Sequence, residues 1–208
     1  MMPTTTIQAA VFDLGGVVIE IVLGRTIRAW AALADLPPEK VQELVAGDLP
    51  NYYKLERGDF DVDVFHRHVC ELLGRPLGKE AFLRGWRALL GGPLPGIDDL
   101  LARLQGRVRL LMLTNTNALH SAEFHRTCGP VLARFERVFE SWQMGCRKPE
   151  PACFQQVIDW LALPPERIAY FDDSAENIEA AARLGLVARL VRGPQEVERE
   201  LAALGVLA

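Results

Sequence analysis

The chain has 208 residues, half of them hydrophobic and 24% charged, with a formal net charge of −4. That length holds one sizeable core with room for a smaller insert, and a mildly acidic chain without a basic block argues against a nucleic-acid partner. No apolar run reaches the roughly 18 residues that a membrane span needs. The first residues lack the charged and apolar regions of a signal peptide, and the four cysteines, Cys70, Cys128, Cys146 and Cys153, show no metal-ligand spacing. A reduced, cytoplasmic protein free of membrane contact, monomer or homodimer, is the expectation.

In chain order, residues 7–12 form a short apolar run that leads into Asp13 and then Gly15-Gly16. Such a run bounded by turn residues reads as a buried strand. Asp13 then stands where the strand leaves the sheet, either facing a ligand or capping a turn. The glycines allow a sharp turn and a close approach of backbone to ligand. From residue 25 to about 90 the periodicity is helical, with helices predicted over 25–33, 39–45, 61–73 and 79–90 and no strand among them. The stretch 91–96, Gly-Gly-Pro-Leu-Pro-Gly, reads as a hinge.

Strands and helices then alternate. A helix over 97–104 precedes a buried strand over 108–113 that ends on Thr114-Asn115. A helix over 118–135 leads to a short strand at 137–141. Lys148-Pro149 introduces a helix over 152–161, and a strand over 168–171 ends on Asp172-Asp173. Ser174 is the expected N-cap of a helix over 175–184 terminated by Gly185. A strand over 186–191 and a helix over 194–204 close the chain. Repeated strand–helix units predict an α/β, doubly wound parallel sheet with right-handed crossovers. The α/β core is expected over residues 1–18 and 93–208, with an inserted helical domain over 19–92.

Asp13, Thr114-Asn115 and Asp172-Asp173 each follow an apolar strand, and Lys148 stands just before a helix. In a parallel sheet all of them gather at one edge. Carboxylates placed together there repel, raising their pKa values unless a cation neutralises them. Magnesium suits an all-oxygen site of that kind completed by a phosphate. Lys148 would supply a point charge, and Thr114 and Asn115 neutral donors to phosphoryl oxygens. Such a constellation supports nucleophilic carboxylate chemistry through an aspartyl-phosphate.

These motifs in this order resemble the haloacid dehalogenase (HAD) superfamily: Phe-Asp-Leu-Gly-Gly-Val at 12–17, an apolar strand ending in Thr114-Asn115, Arg-Lys-Pro-Glu-Pro at 147–151, and Phe-Asp-Asp-Ser at 171–174. The helical insert directly after the first motif resembles subfamily I, whose helical cap domain sits there over a Rossmann-like core. The stretches 113–117, 145–150 and 171–178 look like the bacterial α-D-glucose-1-phosphate phosphatase group. The resemblance implies Asp13 as nucleophile, Thr114 and Asn115 holding the transferring phosphoryl group, and Lys148 bridging Asp13 and phosphate. It implies Mg2+ held by Asp13, by Asp173 with Asp172 beside it, and by the Gly15 backbone carbonyl. Gly16 is expected on the substrate side of the same turn.

Most phosphatases of the resembled family carry a second Asp two residues after the nucleophile as general acid and base, a device typically worth ~10²–10⁴-fold. Here that position is Gly15. Three readings follow. The leaving group is a good one, such as the anomeric hydroxyl of a sugar 1-phosphate; another residue, Glu20 or Glu56, supplies the proton; or turnover is impaired and binding retained. A 2-haloacid dehalogenase, the rival enzyme, is disfavoured because the acidic pair would oppose an anionic substrate. His66 and His68 lie two apart on a helix and face different ways. His125 is expected to be structural or exposed, and His120 the same or near the site mouth. Cys146 is expected to be an inert buried thiol. Trp30, Tyr52, Tyr53, Trp86 and Trp142 are expected in packing. Glu56-Arg57-Gly58 is a candidate substrate-facing loop, or a simple interhelix turn. The expected reaction is magnesium-dependent hydrolysis of a small phosphorylated metabolite, with a sugar phosphate as the leading substrate.

Overall fold

The computed structural model describes residues 6–207. The chain begins with β1 (Ala9–Phe12), a short strand β2 (Ile19–Ile21) and five helices: α1 (Leu23–Ala34), α2 (Pro38–Ala46), α3 (Leu49–Arg57), α4 (Val62–Leu73) and α5 (Lys79–Arg87). β3 (Leu90–Pro93) and α6 (Ile97–Leu104) follow, then β4 (Arg109–Thr114), α7 (Ala118–Thr127), α8 (Gly129–Leu132), β5 (Arg137–Glu140) and α9 (Ser141–Met144). The last part holds α10 (Pro151–Leu161), β6 (Ile168–Asp172), α11 (Ala175–Arg183), β7 (Val187–Leu190) and α12 (Pro194–Ala203).

Five strands form one sheet in the order β5-β4-β1-β6-β7, and every pairing in it is parallel. The chain runs outward from β1 through β4 to β5, then crosses back to β6 and β7 on the other side of β1. The order therefore reverses at β1, and in such sheets the crevice beyond the carboxyl ends at the reversal is where ligands bind. Both faces of the sheet are covered, as parallel sheets require. Alternation divides each strand between the two apolar layers: Ala10 and Phe12 of β1 join one cluster with Phe124 and Phe171, while Ala9 and Val11 join another with Phe154 and Tyr170.

The helices between β2 and β3 bury a third apolar cluster of their own, built around Trp30, Phe65, Phe82 and Trp86. The Trp30 and Phe82 rings stack at 4.7 Å, and Phe65 and Trp86 do the same. Leu119 of α7 joins this cluster, so the insert is packed onto the core.

Local differences from expectation have identifiable causes. The stretch expected as a pure hinge starts with a strand, because Leu90–Pro93 pairs antiparallel with Ile19–Ile21. The helical insert thus springs from a two-stranded ribbon. α3, absent from the sequence-based prediction, spans the expected Glu56-Arg57-Gly58 loop: Pro50 sits in its first turn, and Gly58, at φ 77°, ends it. The helix predicted over 118–135 breaks at Cys128, where Gly129-Pro130 starts a new turn. A proline there has no N–H to continue the helical ladder. Ser174 makes no capping bond with its side chain. Its N–H instead donates to Asp172 Oδ1 at 2.8 Å. No helix among the described residues is long and apolar enough to cross a membrane.

Candidate active site

The carboxyl ends of β1, β4 and β6, with the loop after α9, bring together Asp13, Thr114, Lys148 and Asp172-Asp173. The Lys148 side chain is buried, and its Nζ donates to Asp13 Oδ1 at 2.6 Å and to Asp172 Oδ2 at 2.7 Å. Asp13, 9% exposed, lines a pocket of about 200 Å³ walled in part by Gly15, Thr114, Asn115 and Lys148. Burial foremost pushes the Asp13 carboxyl up to about 7; Lys148 acts against the shift and Asp172 adds to it. Burial on its own would pull the Lys148 ammonium down, yet Asp13 and Asp172 together hold its pKa above the ordinary lysine value.

Asp172 is the most heavily engaged group of the site. Oδ1 accepts from the Ser174 N–H at 2.8 Å, and Asn177 Nδ2 lies 3.0 Å from both carboxylate oxygens. Oδ2 also accepts from Lys148 and from the Tyr170 hydroxyl. Burial works against ionisation, but Lys148, Tyr170 and the Ser174 N–H together hold the Asp172 carboxyl below its ordinary pKa. Asp172 is thus a carboxylate surrounded by donors that holds Lys148, and it still offers an oxygen to the acidic cluster. Asp173 is exposed, and burial together with the neighbouring Asp172 charge raises its pKa.

Asp13, Asp172 and Asp173 each offer an oxygen, and these atoms lie within 4.8 Å of one another. One lysine among three carboxylates leaves two negative charges uncompensated, so the donor set fits a hard dication. The turn after Asp13 supplies a backbone oxygen as well. The Val18 and Ile19 N–H groups donate to the Leu14 carbonyl and the Gly16 N–H donates to the Ile19 carbonyl, leaving the Gly15 carbonyl outside the bonds of the turn. Gly16 has φ 73°, and a Cβ on it would lie 2.4 Å from Asp173 Oδ2. The positive φ and the close Asp173 carboxylate both favour glycine at position 16, which lines the Asp173 side of the turn.

Asn115 is tied to the loop that carries Lys148. Its Oδ1 accepts the Lys148 N–H at 2.8 Å and its Nδ2 donates to the Lys148 carbonyl at 2.9 Å. The side chain brackets the backbone of the lysine with Oδ1 and one of its two amide hydrogens, and Asn115 also lines the Asp13 pocket. The Thr114 hydroxyl makes only a 3.5 Å contact with the next carbonyl. It is a neutral side-chain donor at the pocket wall.

Sequence reasoning assigned no role to Tyr170 and Asn177. The signal for Tyr170 was available: two residues before Asp172 on one strand, it shares the same face. Asn177 lies in the first turn of α11, close behind the acidic pair.

His120 lines the pocket and is buried. Asn117 caps α7 through its Oδ1, which accepts from the Leu119 and His120 N–H groups, so its Nδ2 faces His120 Nδ1 at 3.1 Å as donor. Nδ1 is then an acceptor and the ring proton sits on Nε2, which has no hydrogen-bond partner. Burial foremost pushes the His120 pKa down to about 4, with the nearby Trp86 backbone acting the other way. The ring is neutral at ordinary pH.

The other candidate proton donors lie further out. Glu20 pairs with Arg25 on the surface at 3.2 Å and lines the Asp173 side. Glu56 is buried, accepts from Arg147 Nε at 2.7 Å, and has its pKa raised by burial. Arg57 pairs with Glu150 at 2.7 Å. Helix α3 is thus fastened to the segment carrying Lys148 through side chains on either side of that lysine. His68 pairs with Asp48 and His66 reaches the Leu77 carbonyl, consistent with neither acting as a ligand. Cys146 is buried with its thiol pKa raised by burial, as expected of an inert thiol.

A model of haloacid dehalogenase-like hydrolases matches residues 7–185. The D-ribitol-5-phosphate phosphatase of Bacteroides thetaiotaomicron is 27% identical over 86% of this chain and 89% of that protein. The sesquiterpene phosphatase astK of Aspergillus oryzae is likewise 27% identical, over 88% and 89%. Among solved structures, a wild-type HAD family enzyme from Bacteroides thetaiotaomicron in complex with magnesium and inorganic phosphate superimposes with a TM-score of 0.79. It is 25% identical, covering 88% of this chain and 93% of that one. With a family model spanning most of its length and the same fold in these relatives, this chain belongs to the haloacid dehalogenase-like hydrolases.

Proposed function

We propose that the chain is a magnesium-dependent phosphatase that transfers the phosphoryl group of a small phosphomonoester to Asp13 and then to water. The observation that carries this reading is the pairing of a buried, Lys148-held Asp13 with an acidic cluster open on its Asp173 side. The relatives named as phosphatases and the magnesium–phosphate complex of the HAD family enzyme support it.

In this scheme Lys148 orients the Asp13 carboxylate through Oδ1 and faces the incoming phosphate with its positive charge. Thr114 donates to a phosphoryl oxygen. Asp172, held by Tyr170, Asn177 and the Ser174 N–H, keeps Lys148 in place. Asp13, Asp173 and the Gly15 carbonyl would hold the magnesium, which supplies positive charge against the oxygens of the transferring group. The insert acts as a cap that excludes water during transfer, its α3 fastened by the Glu56–Arg147 pair.

Gly15 places no carboxylic acid beside the leaving group, and the acidic residues weighed as substitutes do not line the Asp13 pocket. A leaving group that needs little protonation accommodates this. A sugar 1-phosphate, with its anomeric hydroxyl, is the reading that the motif resemblance carries. The two relatives at 27% identity are named for a sugar-alcohol phosphate and a sesquiterpene phosphate, so similarity leaves the choice of leaving group open.

The test is release of inorganic phosphate from aryl, sugar and alkyl phosphates with and without magnesium. Turnover is expected to require magnesium and to fall by at least ~10⁴-fold in Asp13→Asn. Magnesium-independent turnover, or an active Asp13→Asn variant, would rule the mechanism out. Tight binding of phosphate with no turnover of any ester would identify an impaired enzyme instead.

A further inference from the structure

We propose that the apolar cavity inside the cap receives the leaving group, and that the substrate is accordingly a lipophilic phosphomonoester, a phosphate head on a hydrocarbon body. The inference rests on the phosphatase reading and specifies its substrate class.

Beside the phosphoryl pocket lies a second cavity of about 270 Å³, and Ile21, Tyr52 and Leu89 line both. Trp30, Phe65, Val69 and Trp86 form much of its remaining wall. An apolar cavity of ~150 Å³ in another protein already takes up benzene, so this one has room for a larger ring system or a branched chain. The two cavities lie side by side, sharing Ile21, Tyr52 and Leu89, and this adjacency to where the phosphate would sit makes the ester's own organic part its occupant.

The chemistry of the wall decides against a polyol. Thr26 Oγ1 is 2.9 Å from the Gly85 carbonyl and 3.2 Å from that of Trp86. Asp48 gives one oxygen to Asn51 and the other to His68. Tyr52 lies beside the Glu56 carboxyl, and burial together with that carboxyl raises its pKa. The hydroxyl and carboxylate groups on the wall are thus already engaged. Hydroxyls of a sugar placed there would lose water without gaining comparable partners, a cost of about 1–3 kcal/mol for each group left unpaired.

Two further observations agree. Ile21, Leu23 and Leu49 are 43%, 52% and 42% exposed, and all three line this cavity, giving it an apolar mouth. A Cβ on Gly15 would lie 2.9 Å from Ile21 Cγ1. The space beside the nucleophile that a side chain at residue 15 would occupy is taken by hydrocarbon from the cavity wall. Gly15 and Ile21 together make the leaving-group side of the site apolar.

The test is kcat/KM across ethyl, butyl, hexyl and octyl phosphate, kept below their micelle concentrations, beside ribitol 5-phosphate and glucose 1-phosphate. Each added methylene is expected to raise kcat/KM up to about fourfold until the cavity is full, with octyl phosphate exceeding both polyol esters. Leu49→Asp, which puts a charge at the mouth, is expected to lower the octyl-to-ethyl ratio by about tenfold. Leu33→Asp, an equally exposed site off the cavity, is expected to leave that ratio unchanged.

A flat series, or preference for a polyol ester, overturns the inference while the phosphatase reading stands. Binding of octylphosphonate, read from quenching of Trp30 and Trp86 emission, separates the two failures. Binding without turnover of any ester supports the cavity and sinks the phosphatase reading. Absence of both sinks both.

Discussion

At the carboxyl edge of the sheet, Lys148 contacts two carboxylates within 2.7 Å, and Asp172 collects bonds from Ser174, Asn177, Tyr170 and Lys148. In the interior of the helical insert the contacts are ring against ring and methyl against ring, around a space left unfilled. The two regions face each other across one pocket. Lys148 and Asp172, the charged groups around Asp13, are bonded to one another, because an unpaired charge in a buried site is costly. The insert has no such demand. Its interior is held by shape and dispersion, so apolar side chains serve. The polar edge and the insert are accordingly held by different kinds of force.

His120, on the seam between the two regions, offers the largest expected effect on stability. Its folded-state pKa is about 4 against an ordinary 6.5. Above pH 6.5 the ring is neutral in both states and its contribution is complete. Between pH 6.5 and 4 the unfolded chain takes up a proton that the folded chain refuses, so stability falls as pH falls. The total is about 3 kcal/mol. Denaturant unfolding between pH 7 and pH 4 should show this loss in the wild type and lack it in His120→Gln. Identical pH slopes would mean that the ring is protonated in the folded protein.

The polar edge can be divided by two substitutions. Asp173→Asn is expected to weaken magnesium binding by about 10–100-fold, as titration calorimetry would show. Asp172→Asn is expected to leave magnesium affinity within about threefold and to lower kcat by about 10–100-fold, through loss of the lysine's support. Equal losses of magnesium affinity in both variants would restore Asp172 to the ligand set anticipated from its motif.

The smallest effect concerns the fastening between the regions. Glu56 and Arg147 side chains are 6% and 15% exposed, whereas Arg57 and Glu150 are 32% and 35% exposed. A double-mutant cycle with Glu56→Gln and Arg147→Met should give a coupling of about 1–2 kcal/mol. The more exposed pair should give less than about 1 kcal/mol. Coupling of equal size would show that burial of the first pair adds nothing.

Much of the core was readable before folding, for local reasons. The runs at 7–12, 108–113 and 168–171 are apolar, short and punctuated, and the positions of Asp13, Thr114 and Asp172 at their ends follow from chain order alone. The parallel sheet follows from the alternation of those runs with helices. The ribbon was not readable: Ile19–Ile21 is three residues long, Leu90–Pro93 contains two glycines and a proline, and pairing them depends on the insert closing between them. Helix α3 is largely polar and has a proline in its first turn, so its periodicity is weak while its packing is tertiary.

The candidate site divides in the same way. Motif order identified Asp13, Lys148, Thr114 and the acidic pair as neighbours, since strand ends in a parallel sheet must converge. Which of two adjacent residues faces the pocket depended on the fold. Asp172 continues the face of β6 shared with Tyr170 and turns inward to Lys148, while Asp173, one residue on, faces out. Thr114 keeps a nearly free hydroxyl, while Asn115 is captured by the loop that crosses it 33 residues later. The residue types and their order were written in the chain. Their partners came from segments distant in sequence, and a hydrogen bond or an apolar contact forms only where folding brings its two halves together.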